Sequence, residues 1–130
     1  MRKILLYTDT NIVGGAELQI FLLAKFLDKS KFQPILACGA YPSLDHWCDK
    51  FEREEIPVIR FQVRHKNQIR HYFQIRKILQ ENAIDIIHIH VWNPAAGRQA
   101  LLAAKNTKTI ITEHDPFKLG ALKTLIKKQL

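Results

Sequence analysis

The sequence predicts a doubly wound α/β domain, in which a parallel sheet of about five strands in the order 3-2-1-4-5 lies between two layers of helices, α/β/α. Three observations carry this. Apolar runs of strand length recur along the chain, and each gap between them holds a segment with helical spacing. The runs are apolar almost throughout rather than alternating, as in strands of a parallel sheet buried on both faces and joined by right-handed crossovers. Finally, "NIVGGAE" at residues 11–17 directly follows the first run, "KILLYTD", so two glycines stand where a strand hands over to a helix. The whole reads as a Rossmann-like unit.

Taken in order, the first strand covers Ile4 to Tyr7, and the first helix starts near Ala16 and runs to about Leu27. Its apolar face is Ile20, Leu23, Ala24 and Leu27. The second strand is Ile35 to Cys38; the helix after it takes Ser43 as N-cap and buries Leu44, Trp47, Cys48 and Phe51. A third strand, Val58 to Phe61, leads to a helix over about Gln68 to Glu81, which turns Ile69, Tyr72, Phe73, Ile75 and Leu79 to the sheet and Arg70, Arg76 and Lys77 outward. The fourth strand is Ile86 to His90, and Pro94 suits the first turn of a helix carrying Ala95 to Ala104. The fifth is Thr109 to Thr112. The closing "KLGALKTLIKKQL" reads as a fifth helix, with Leu119, Leu122, Leu125 and Ile126 set against Lys123, Lys127 and Lys128.

At 130 residues and 47% apolar content, the chain suits one compact domain with a sizeable core. A net charge of +8 and a pI near 9.7 favour anionic partners: nucleotides, phosphorylated or lipid-linked substrates, nucleic acid or a membrane surface. The two cysteines, Cys38 and Cys48, lack metal-ligand spacing and read as buried thiols in a reducing cytoplasm. No apolar run reaches the roughly 18 residues of a membrane span, and the start is too short and too soon polar for a signal peptide. A soluble or peripheral protein is expected.

In the predicted strand order, the chain reverses direction between strands one and four, leaving a crevice at their carboxyl ends. Three turns meet there: Gly14-Gly15, the stretch His90 to Asn93, and "TEHD" over Thr112 to Asp115. Glycine permits φ > 0 and close approach of a ligand to the backbone, and the amides of the Ala16 turn suit a phosphate. A tight turn explains the glycines equally well, and Glu17 reads as a first-turn acid complementing the helix dipole. A nicotinamide site is disfavoured, because G-x-G-x-x-G is absent and strand two ends "LACGAY" without an acid for the ribose; a P-loop lacks its Lys-Ser/Thr.

In "DIIHIHVWNP", His88 and His90 share one face of strand four, with His90 at the crevice and His88 deeper, as a core histidine. With His114 and Asp115 they would supply zinc-type ligands, but from different depths of neighbouring strands, so no metal is expected. His114 is the candidate reactive group, flanked by Glu113 and Asp115, which can set its orientation and protonation; a solvated polar turn before Pro116 is the plainer alternative. Between Ile56 and Gln80 there is no acid, while Arg60, Arg64, Lys66, Arg70, Arg76 and Lys77 bring six positive charges, read as a basic rim. No nucleic-acid signature accompanies them, so nucleic acid is not expected as a partner. Lys118, Lys123, Lys127 and Lys128 would let the last helix rest on anionic lipid, or simply face solvent.

With "GGAE" opening helix one, "DIIHIH" filling strand four and "TEHD" closing strand five, the chain resembles the amino-terminal domain of family-4 glycosyltransferases of the GT-B fold. The resemblance extends over essentially all of residues 1–130. It implies an acceptor-binding domain of an enzyme that moves a hexosyl group from a nucleotide sugar to an acceptor. Gly14, Gly15 and Ala16 would lie near the donor diphosphate, His114 beside the transferred sugar, and His90, Glu113 and Asp115 along the cleft. Neither cofactor nor metal is implied, since helix dipoles and basic side chains offset the diphosphate. The donor-binding E-x7-E residues belong to a carboxyl-terminal domain that this stretch does not contain, so it is expected to be inactive alone and to need that domain or a partner chain. A cytoplasmic place, peripheral on the inner membrane face, and a sugar or lipid-linked acceptor would follow. Two other readings remain: a non-catalytic phosphate- or nucleotide-binding module, and a basic nucleic-acid-binding domain.

Overall fold

The structure is a computed structural model, and it describes residues 1–62, 69–91 and 97–114. Its elements are β1 (Arg2–Thr8), α1 (Gly15–Phe26), β2 (Phe32–Gly39), α2 (Asp45–Arg53), β3 (Val58–Phe61), α3 (Ile69–Glu81), β4 (Ile86–Val91), α4 (Arg98–Ala103) and β5 (Lys108–Glu113). The sheet is five-stranded, in the order β3-β2-β1-β4-β5, with every pairing parallel. This is the doubly wound topology expected.

Strand residues alternate between two cores. On one face Leu5, Tyr7, Ile87 and Ile89 pack with Ile75 and Leu79 of α3 and with Ala100 and Ala103 of α4. On the other, Ile4, Leu6, Leu36 and Cys38 pack with Ile20 and Ala24 of α1 and with Trp47, Cys48 and Phe51 of α2. Cys38 and Cys48 are buried free thiols with their sulfurs 3.5 Å apart. Ile110 of β5 is 50% exposed, so the described cover of the sheet thins toward that edge. Among the described residues no helix is long and apolar enough to cross a membrane.

Helix ends follow local chemistry that the sequence hides. Both α2 and α3 close in Schellman turns: Ile56 N–H donates to the Phe51 carbonyl at 2.9 Å, and Ile84 N–H to that of Leu79 at 3.1 Å. The left-handed residues are Glu55 (φ 60°) and Ala83 (φ 49°), not glycines. Ser43 is not the N-cap of α2. It lies inside a 3-10 turn, Pro42–Leu44, and its Oγ donates to the Asn11 carbonyl at 2.6 Å, so Leu44 takes the cap position.

Two helices turn differently from expectation. In α3 the buried set is His71, Ile75, Ile78 and Leu79, while Ile69 and Phe73 are 72% and 60% exposed. The phase is set by His71, whose Nε2 accepts from the buried Tyr7 hydroxyl at 2.7 Å and whose Nδ1 lies 3.2 Å from Gln74 Oε1. Burial pushes the Tyr7 phenol far up, so it stays a donor. In α1, Leu23 faces solvent although Ile20 and Ala24 are buried; this helix is apolar on nearly every side, which leaves its spacing ambiguous. Arg60 and Arg76 also leave the basic rim. Arg60 pairs with Asp45 and caps the Tyr41 carbonyl, and Arg76 donates to the Ala103 carbonyl at 3.3 Å. Arg64, Lys66, Pro94 and the fifth helix lie outside the described residues.

Ala83→Gly removes a methyl from a left-handed position at the end of α3 without touching the core. It is expected to stabilise the fold by about 0.5–1 kcal/mol, read as a raised midpoint in urea denaturation.

Candidate functional site

The register of β4 brings three distant turns to one rim. Thr8 at the end of β1 pairs with His90, and His90 pairs with Thr112 of β5. Registered partners in a parallel sheet share a face, so Thr8, His90 and Thr112 form a row beside the start of α1. One residue further on, His114 N–H donates to the Val91 carbonyl at 3.0 Å and extends that ladder past the strand.

The side chains then link up. His90 Nδ1 lies 3.0 Å from His114 Nε2, and the two rings stack with centroids 5.3 Å apart. Beneath them His88 packs on His90 at 4.0 Å between centroids, and its Nε2 is 2.6 Å from Thr112 Oγ1. His88 is therefore only half-buried and hydrogen-bonded at the rim, while His90, 4% exposed, is the deeper ring. Burial lowers the pKa of His90 to about 3, with His88 and His114 adding to the effect, and lowers that of His88 to about 4. His114 is lowered too, by burial, against an opposing pull from the Glu17 carboxylate.

Glu17 is the first-turn acid expected from the sequence, but its place at the site was not legible there. It is 7% exposed, and its Oε1 accepts from the Gly14 N–H at 2.7 Å, the reciprocal half of a capping box. The Trp47 indole donates to its carbonyl at 3.0 Å and ties this turn to α2. The acid acting on His114 thus comes from another turn of the chain, while Glu113 alternates to the opposite face of β5. Thr8, Thr10, Ala16, Glu17, His90 and His114 line one notch of about 10 Å³, roughly the room of a single water. The polar triplet "TDT" at residues 8–10, directly after an apolar run, was the legible signal for this wall.

The diglycine turn is not a strained one. Gly14 is the N-cap of α1 at φ −145°, outside the left-handed region, and a Cβ there would make ordinary contact with Glu17 Oε1 at 3.5 Å. A Cβ on Gly15 would meet nothing within 4 Å. The first intrahelical bond runs from Leu18 N–H to the Gly14 carbonyl, so the amides of Gly15, Ala16 and Glu17 have no partner within the helix. Gly14, Gly15, Ala16, His90 and His114 therefore gather at one rim. Asp115, Lys118, Lys123, Lys127 and Lys128 lie outside the described residues. No three His, Cys, Asp or Glu side chains among the described residues are grouped to hold a metal ion.

A family model described as Glycosyltransferase Family 4 matches residues 13–130. Among solved structures, a glycosyltransferase from Rickettsia africae ESF-5 superposes with a TM-score of 0.73 at 23% identity, covering 93% of this chain and 32% of the other. Acinetobacter baumannii MurG gives 0.68 at 13% identity, over 98% of this chain and 39% of the other. The S. aureus MnaA–UDP co-structure gives 0.61 at 15% identity, over 97% and 36%. The chain thus spans about a third of the length of these proteins, and likeness at such identities establishes the fold. No curated protein matches it.

The buried rings fix a pH dependence. A histidine kept neutral in the fold contributes stability that is complete above its unfolded pKa of about 6.5 and is lost as pH falls toward the folded value. From His90 alone, unfolding should become easier by about 2 kcal/mol between pH 7 and pH 5. Urea denaturation at the two pH values is expected to show at least this drop, with His88, lowered to about 4, adding a similar share, and His90→Gln is expected to shrink it by about 2 kcal/mol.

Proposed function

The chain belongs to Glycosyltransferase Family 4, and from that premise we propose that it is the acceptor-side domain of an enzyme transferring a hexosyl group from a nucleotide sugar to a sugar or lipid-linked acceptor. The observation that carries this reading is the shared rim: Glu17, in the first turn of α1, and His114, 97 positions apart in the sequence, line one notch. At about 10 Å³ that notch holds no sugar, so it acts as one wall of a cleft whose other wall comes from a donor-binding domain or partner chain.

In this arrangement the donor diphosphate approaches the amides of Gly15 and Ala16, where the helix terminus contributes about 0.3–1 kcal/mol toward an anion. The open space beside Gly15 leaves room for it. Gly14 is already committed to Glu17, and that carboxylate repels phosphate, so the diphosphate lies on the outer side of the turn. His114 stands beside the transferred sugar, with His90 behind it, while Glu113, on the opposite face of β5, takes no part in that wall. Displacement at the anomeric carbon proceeds without a bound metal or cofactor. Alone, the chain is inactive. The whole enzyme is cytoplasmic and touches the inner membrane face through the lysines Lys118, Lys123, Lys127 and Lys128, where each basic residue near anionic lipid adds about 1 kcal/mol.

The test combines this chain with its donor-side domain and follows sugar transfer. His114→Ala is expected to lower kcat by about 100-fold or more. Gly15→Ala is expected to fold at least as stably as the parent, because its methyl meets no protein atom, and yet to raise KM for the donor. Unchanged transfer in both variants would contradict the assignment.

A further inference from the structure

The geometry points to His90 as a positioning residue that fixes the tautomer of His114, holding the His114 proton on Nδ1. This rests on the reading of His114 as the ring beside the transferred sugar, but the tautomer is a property of the chain by itself. His90 Nδ1 and His114 Nε2 are 3.0 Å apart, so a single proton lies between them, and one ring donates it while the other accepts.

Burial decides which. His90 Nε2 is buried with no hydrogen-bond partner. Were His114 the donor, neutral His90 would carry its own proton on Nε2, an orphaned buried N–H, which folded proteins rarely tolerate. With His90 as donor, the orphan is a bare lone pair, a more common compromise. His114 then accepts at Nε2 and must bear its proton on Nδ1. His88, packed on His90 at 4.0 Å between ring centroids and anchored on Thr112, restrains that ring. His114 therefore enters the cleft as a hydrogen-bond donor to a hydroxyl or phosphate oxygen, with the nitrogen that would act as a base turned inward to His90.

Long-range 1H–15N spectra of the histidine-labelled chain near neutral pH test this without any transfer reaction. The parent should show His114 protonated on Nδ1, and His90→Asn, whose amide N–H is attached at Cγ as the Nδ1–H of His90 is, should keep that pattern. His90→Phe should release it toward Nε2–H or a mixture. An Nε2–H tautomer at His114 in the parent would overturn the inference directly, and so would an unaltered Nδ1–H form in His90→Phe. Either result leaves the transfer assays above untouched, so the two claims fail separately.

Discussion

The registration of β4 between β1 and β5 is the constraint on which the rest of the site depends. It aligns Thr8, His90 and Thr112 in one row, on the face that also receives α1. A slip of one residue would turn His88 and His90 into the core of α3 and α4 and bring Ile87 and Ile89 to the rim. That register is held by apolar burial: Leu5, Ile87 and Ile89 are fully enclosed on the opposite face. Polar geometry at the rim is thus a consequence of hydrophobic packing below it.

On that row the molecule places groups that burial alone would disfavour. Glu17 is accommodated by the Gly14 amide, and the two deeper histidines are kept neutral and bonded to neighbours. Low local dielectric makes such networks costly when partly satisfied, and the orphaned His90 Nε2 marks an atom where cost remains. The notch itself is too small for a ligand, while Gly15 is open.

Strand placement and order were legible because a buried parallel strand leaves an unbroken apolar run, as in Ile86–Val91. Helix phase was less so. In α3 two exposed apolar residues, Ile69 and Phe73, imitate a core face, whereas the residue that sets the rotation is a polar one, His71, buried by a bond to Tyr7 from a strand 64 positions away. The same holds at the site. Gly14, Gly15, His90 and His114 stood out by type and position, but Glu17 resembled an ordinary first-turn acid, and only its approach to His114 in space gives it weight. Local sequence carries propensity and pattern; it does not carry a contact between two turns.

A crystal structure of the enzyme containing this domain, bound to an unreactive nucleotide-sugar analogue, tests the central claim most directly. The diphosphate oxygens are expected against the amides of Gly15 and Ala16, with the His114 ring edge facing the sugar. Donor bound away from the carboxyl rim of this sheet, for example at its amino end near Phe32 and Ile56, would contradict that claim.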